Sequence, residues 1–346
     1  MSSDYQITRE NDPISISNNL ITIEQLIKTQ STTNIDQYNS FTKKIKQIPK
    51  DFQFILIDSS DLQNVQEIGK GNFGIVYRAS YKGIHDIALK TLNCQRQNSI
   101  EEYDNKKLYE ILFEAHIMTQ LKHENLLPII GITFYGQNKQ LSLVTDFMKN
   151  GSLLNYLRKF RDNFIESSSK DMINKKLNYF SKQIFQAMLY LEQRNIIHRD
   201  LAARNCLIGD NDILKVADFG LTKLTECGQY NGNKKTIFAT RWAAPEVINT
   251  LKYTSRSDVW SYGITLWEIY SIGQRPYGNL DNRTIQNLLK NSSENLPYFL
   301  PQSQQFGSNE VYTHLILPCL TYCVAIRPYF KDLVGRVSTI FNDQIQ

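Results

Sequence analysis

The sequence predicts an α+β protein of two lobes, a small antiparallel β-sheet lobe with one main helix followed by a larger, mainly α-helical lobe. Two observations carry this. Across residues 62–147 short β-rich segments alternate with turn residues around a single helical stripe, and beyond Gly151 the apolar periodicity is almost wholly helical. No internal repeat divides the chain, and 346 residues suffice for one large two-lobed domain.

Residues 1–61 are expected to form an extension. Up to about residue 50 it is rich in Asn, Gln, Ser, Thr and Ile, with little aromatic content to anchor a core. Leu20, Ile23, Leu26 and Ile27 fall on one helical stripe, so this stretch reads either as a short helix resting on the main domain or as disordered chain. Lys43, Lys44, Lys46 and Lys50 read as a solvated face, with contact to an anionic membrane surface as the alternative. From Leu62 onward, strands are expected at 65–68, 74–81 and 84–92, with turns at 69–74 and 82–83. A helix follows, marked by Leu108, Ile111, Leu112, Ala115, Met118 and Leu121 at helical spacing. Strands near 126–135 and 140–147 complete the sheet.

Apolar residues make up 41% of the chain, enough for a globular core, and the net charge of +5 is spread along it, which gives no case for a nucleic-acid partner. The five cysteines (Cys94, Cys206, Cys227, Cys319, Cys323) form neither a disulfide ladder nor a paired metal pattern. Cys319 and Cys323 could share a helix face as two zinc ligands, but no second pair exists, and burial in a helix is the simpler reading. No apolar run is long enough to span a bilayer, the N-terminus lacks a signal pattern, Ser2 excludes N-myristoylation and the end at Gln346 lacks a prenylation box. These features lead to the expectation of a soluble cytoplasmic protein with reduced thiols.

The most informative stretch is His198-Arg199-Asp200-Leu201-Ala202-Ala203-Arg204-Asn205. A carboxylate and an amide stand five residues apart in a loop after an apolar helix, so one side chain can meet a substrate hydroxyl and the other a metal ion on a nucleotide phosphate. Asp218-Phe219-Gly220 adds a second carboxylate on a tight turn. Upstream, Gly69, Gly71 and Gly74 allow a strand-turn-strand to lie close over phosphates without side-chain clashes. Dinucleotide-binding folds share that glycine spacing, but there a helix follows, whereas here the next element is a strand. Lys90 then closes the apolar run Ile87-Ala88-Leu89, a costly place for an ammonium unless it finds anions.

This ordered set resembles the catalytic domain of a protein kinase, over about residues 62–342, and the run Leu201-Ala202-Ala203-Arg204-Asn205 resembles its cytoplasmic tyrosine-specific branch. The resemblance implies a protein-kinase-like bilobed fold, with an N-lobe at 62–147 and a C-lobe at 149–342. It implies ATP and Mg²⁺ as cofactors and a protein substrate, with transfer of the γ-phosphate to a tyrosine hydroxyl. Asp200 would be the base, Asn205 and Asp218 the metal ligands, and His198 a strut against Phe219. Lys90 would meet the α- and β-phosphates and pair with Glu114, or with Glu110 one turn away. Ile68, Gly69, Gly71, Gly74, Val76, Ala88 and Leu207 would enclose the nucleotide. Main-chain groups near Asp146 to Met148 would read the adenine edge, with Thr145 as a small gatekeeper.

Serine/threonine kinases typically carry a lysine two residues after the base; Ala202 stands there, and the cation appears as Arg204, as in tyrosine kinases. Against this, Ala239 replaces the proline that usually packs on the substrate tyrosine, although Arg241-Trp242 still resembles the tyrosine branch. A serine/threonine or dual-specificity kinase therefore stays open, as does a catalytically silent scaffold. Tyr230, the lone tyrosine of the presumed activation loop 221–240, would be phosphorylated and bound by Arg199. Glu246 and Arg327 match a buried ion pair of the family, Asp258 its anchor for the catalytic loop, and Leu320 stands where a tryptophan is usual.

Overall fold

The computed structural model describes residues 20–22, 25–26, 52–71, 74–91, 100–136, 140–225, 228–233, 238–291, 299–303 and 306–341. The described residues fall into two compact units, one taking those up to His116 together with Ile129–Asp146, the other Ile117–Pro128 and those from Phe147 onward.

The first unit opens with β1 (Leu20–Thr22), paired antiparallel with β2 (Gln53–Ile55). Leu20 thus lies in a strand, not on a helical stripe, because its partner stands far downstream where local periodicity does not register it. Gln25 and Leu26 are helical, Leu26 is fully buried, and Thr22 and Gln25 cap each other through side chain and backbone. Ile23, Ile27 and the four lysines at 43–50 lie outside the described residues.

A five-stranded antiparallel sheet follows, in the order β3 (Leu62–Gly71), β4 (Gly74–Tyr81), β5 (His85–Thr91), β7 (Gln140–Asp146), β6 (Ile129–Tyr135), with α1 (Ile100–Gln120) between β5 and β6 in the chain. Strand pairing runs through Gly71 and restarts at Gly74, so the glycine turn is tighter than its spacing predicts. The predicted strand start at 84 falls in a turn and that at 126 in an isolated bridge to Val216. Ile57, Ala79, Tyr81, Ile87, Leu89, Ile130 and Val144 form the core of this unit. Ile57 belongs to the extension: its N–H donates to Ile132 O at 2.8 Å and its carbonyl accepts from Thr133 Oγ1 at 2.8 Å. Gly131 makes that approach possible, since a Cβ there would stand 2.5 Å from Ile55 O.

The second unit is mostly helical, with α2 (Leu153–Lys159), α3 (Arg161–Glu166), α4 (Lys170–Gln193), α5 (Pro245–Thr250), α6 (Ser255–Tyr270), α7 (Asn282–Asn291) and α8 (Phe330–Ile340). Helix α4 buries Ile173, Leu177, Phe180, Ile184, Ala187 and Leu191 along one stripe, whereas α6 is buried on every side. Phe185, Tyr262 and Phe330 meet ring to ring and lock α4, α6 and α8 together. Pairs of short strands, β9 (Cys206–Ile208) with β10 (Leu214–Val216), β8 (Ile196–Ile197) with β11 (Lys223–Leu224), and β12 (Gln229–Asn231) with β13 (Lys252–Thr254), escape the sequence reading because two or three residues carry no detectable alternation.

Arg327, fully buried, forks onto Glu246 at 2.7 and 3.0 Å and gives its remaining donors to the carbonyls of Thr321, Arg256 and Tyr322. Leu320, with Cys319, fills the space beside Gly263, where a Cβ would stand 2.7 Å from Cys319 Cβ. Cys319 is buried, its thiol pushed up to about 12 by desolvation, while Cys323 is exposed beyond the helical turn, so the two share no metal-binding face. No helix among the described residues is long and apolar enough to cross a membrane.

Candidate active site

Strand geometry collects one group of side chains in the first unit. Successive residues alternate faces and directly paired residues share one. On β5, Ile87, Leu89 and Thr91 point into the core, which leaves Ala88 and Lys90 on the other face. Val76 pairs with Lys90 and Thr145 with Ala88, so all four line that face, and Gly69 lies opposite Val76. Ile68 falls in the register shift between Glu67 and Gly69 and is exposed. Gly74 takes a φ of 149°, which favours glycine.

Lys90 reaches α1: its Nζ lies 2.8 Å from Glu114 Oε1. Glu114 is 4% exposed, so its carboxylate is held in place by this cation, whereas Glu110 is exposed. Thr145 is buried at the end of β7 beside Asp146.

The second unit carries the loop after β8. Arg199 and Asp218 both take left-handed backbone, at φ 71° and 67°, which costs an L residue energy that the surroundings must offset. Asp258, at the start of α6, offsets the first: its carboxylate accepts from His198 N at 2.7 Å and Arg199 N at 3.0 Å. Burial pushes Asp258 up to about 7 against those hydrogen bonds. His198 packs edge-on to Phe219, with Nε2 3.2 Å from Ala217 O, and burial pushes it down to about 4, so it stands neutral as a strut.

Asp200 is buried and both its carboxylate oxygens are engaged. Oδ1 meets the Arg204 guanidinium, and Oδ2 accepts from Asn205 Nδ2 at 2.8 Å. Desolvation raises its pKa while Arg204 and Asn205 pull it down. The Arg204 guanidinium lies over the Trp242 ring, 4.3 Å from its centroid. The Trp242 indole N–H donates to Glu268 Oε2 at 2.8 Å, and the same oxygen accepts from Ala203 N at 3.0 Å. Glu268 was not singled out in the sequence, yet a carboxylate inside the apolar run Leu266-Trp267-Glu268-Ile269-Tyr270 is a signal, since it must find donors.

Ala217 N donates to Asn205 O at 2.8 Å, which brings Asp218 directly after the strand that Asn205 holds. An amide oxygen and a carboxylate form a hard donor pair suited to a divalent cation that keeps other positions for phosphate and water. Among the described residues no group of three or more His, Cys, Asp or Glu gathers to form a cage, consistent with so sparse a donor set. Met148 and Leu207 pack together with Leu127 and Ala217 in this unit. Tyr230, on β12, faces Tyr253, and the Arg199 guanidinium lies 4.4 Å from each ring.

Comparison with known proteins accords with this geometry. Tyrosine-protein kinase Btk of Drosophila melanogaster is 34% identical over 284 residues, covering 82% of this chain and 33% of the relative. Tyrosine-protein kinase Fer of Mus musculus is 34% identical over 293 residues (85% and 33%), and the transforming protein Abl of Abelson murine leukemia virus 33% over 288 (83% and 35%). The chain thus spans about a third of the length of these curated relatives. The family model described as protein tyrosine and serine/threonine kinase matches residues 62–337. On that match the chain belongs to the protein tyrosine and serine/threonine kinase family, whose members use ATP and a divalent metal.

Proposed function

We propose that this chain is an ATP- and Mg²⁺-dependent protein tyrosine kinase of the non-receptor kind, acting in the cytoplasm, with its catalytic domain at 62–342. The observation that carries the reading is the arrangement Asp200–Arg204–Trp242: a buried carboxylate, held by a cation that is itself stacked on an indole. Asp200 would orient the acceptor hydroxyl and accept its proton, and in a loose transition state that placement matters more than base strength. Bound ATP and Mg²⁺ supply the phosphoryl group and neutralise its charge. Asn205 and Asp218 would hold the metal, and Lys90, fixed by Glu114, would hold phosphate oxygens.

Tyrosine is favoured over serine because Ala202 is buried and uncharged, and the cation at Asp200 comes instead from Arg204, four residues on. Ala239, lacking the ring of a proline, keeps dual specificity as the second reading. The relatives named above are tyrosine kinases, which supports the first.

The test is phosphoamino-acid analysis after incubation with magnesium-ATP, beside Asp200→Asn. Phosphotyrosine that vanishes in the variant supports the proposal. Phosphoserine or phosphothreonine alone moves the enzyme to the other branch, and no phosphate in either chain overturns the reading.

Tyr230 is the proposed activating site. Its phosphate would add nearly two negative charges beside Arg199, which now rests on the faces of two tyrosine rings, with the Lys223 ammonium 5.7 Å from the Tyr230 ring. Activity that rises on pre-incubation with ATP in the wild type and stays flat in Tyr230→Phe would support it; equal rises would not.

A further inference from the structure

The pairing of β12 with β13 puts two aromatic rings side by side. Tyr230 stands directly opposite Tyr253, and directly paired residues of a ladder share a face. The ring centroids lie 5.8 Å apart with their planes tilted by 47°, so the two rings form an open notch. The Arg199 guanidinium sits in it, 4.4 Å from each centroid. Its Nη1 donates to Leu221 O at 2.9 Å. Tyr253 is 2% exposed, so one wall of the notch is buried, and a cation desolvated against an aromatic face is held more firmly than one in water.

Arg199 thereby ties three segments together. Its backbone, left-handed and anchored on Asp258, directly precedes Asp200. Its side chain takes the near end of the loop at 221–231 through Leu221 and the far end through Tyr230, while Tyr253 reaches it from the strand after α5. Main-chain bonds reinforce the arrangement: Thr225 N donates to Asn195 O at 3.2 Å and Gly232 N to Leu251 O at 2.8 Å. What Arg199 meets at Tyr230 is the ring, and a ring needs no phosphate to attract a cation. We infer that Tyr253 is a positioning residue: together with the Tyr230 ring it holds Arg199, and through it the loop at 221–231, in a catalytically competent place before Tyr230 is phosphorylated. The phosphate proposed above would then add a stronger, charge-to-charge contact to an activity already present. This rests on the kinase reading above.

The test measures initial rates with a synthetic one-tyrosine peptide and magnesium-ATP, on chains first stripped by a tyrosine phosphatase that is then removed. The proteins are the wild type, Tyr253→Phe, Tyr253→Leu, Tyr230→Phe and Tyr230→Leu. Phenylalanine keeps a ring, whereas leucine fills much of the space without one. Both leucine variants are expected to lose about tenfold in kcat/KM for the peptide, and both phenylalanine variants to keep most of it. Tyr253→Leu is then phosphorylated on Tyr230 by a trace of wild type, which should bring it close to the rate of the phosphorylated wild type. A general structural defect would not recover in this way. If Tyr253→Leu does not fold, Tyr230→Leu, at a half-buried position, carries the comparison of stripped chains. The notch is overturned, and the kinase reading left intact, by any of four results: leucine variants as active as the wild type, phenylalanine variants as weak as the leucine ones, Tyr253→Leu equally impaired in both states, or a stripped wild type inactive until phosphorylated. A wild type that transfers no phosphate in either state removes the kinase reading and this proposal with it.

Discussion

The side-chain amide of Asn205 gives both its hydrogens to Asp200, one to the main-chain carbonyl at 2.7 Å and one to Oδ2 at 2.8 Å. The amide oxygen is therefore the atom that Asn205 offers to anything else, and the two roles proposed for the loop are joined in one side chain. An aspartate at position 205 would keep the oxygens but lose the donors, and would set a second charge against a carboxylate whose pKa burial already raises. Asn205→Asp is expected to lower kcat by roughly 10²-fold or more, within the range ascribed to a mispositioned general base. The fall should persist at saturating Mg²⁺. Full recovery with added metal would mean that the hydrogen bonds to Asp200 are dispensable.

Most of this loop was legible in the sequence because its chemistry is local. Asp200, Asn205 and Asp218 stand at fixed spacings, and Lys90 announces itself as a charge closing an apolar strand. What could not be read depends on partners remote in the chain. Leu20 and Leu26 fit a helical stripe, yet Leu20 pairs as a strand with Ile55. Arg241 looks like any basic residue until the coil at 276–280 closes on it. Glu246 and Arg327 were matched through resemblance alone, since nothing in the 80 positions between them signals contact.

That pair sets a stability prediction. Arg327 has no exposure and five hydrogen bonds, so Arg327→Met would strand the Glu246 carboxylate and three main-chain carbonyls at once. The loss should be about 3 to 5 kcal/mol in urea unfolding. Glu246→Leu combined with Arg327→Met should recover part of it, because a well-packed apolar pair need not be worse than an ion pair. A double variant less stable than the sum of the single losses would refute that argument.

Two glycines offer a paired contrast. Gly131 faces Ile55 O so closely that an added Cβ would displace backbone of the extension, and Gly131→Ala should cost about 1 to 3 kcal/mol. Gly335 lies within α8 with nothing near its missing Cβ, so Gly335→Ala should stabilise by roughly 0.5 to 1 kcal/mol through backbone entropy. Thermal midpoints that move in opposite directions check both at once. A neutral Gly131→Ala would show that the strand at 53–55 does not press on the sheet as the structure has it.

Glu268 gives stability a pH dependence of definite sign. Burial lifts its pKa from 4.5 to about 7, against the pull of the N–H groups of Ala203 and Trp242. Between those values the folded chain keeps a proton that the unfolded chain has released. Its contribution is therefore fully present below 4.5 and is lost as pH rises through about 7. The gap corresponds to about 3 kcal/mol at most. Glu268→Gln keeps an acceptor for the two N–H groups and cannot ionise, so its stability should fall less steeply over the same window. Urea midpoints taken at several pH values across that window make the comparison; parallel curves for the two proteins would mean that Glu268 ionises in the folded state much as it does in water.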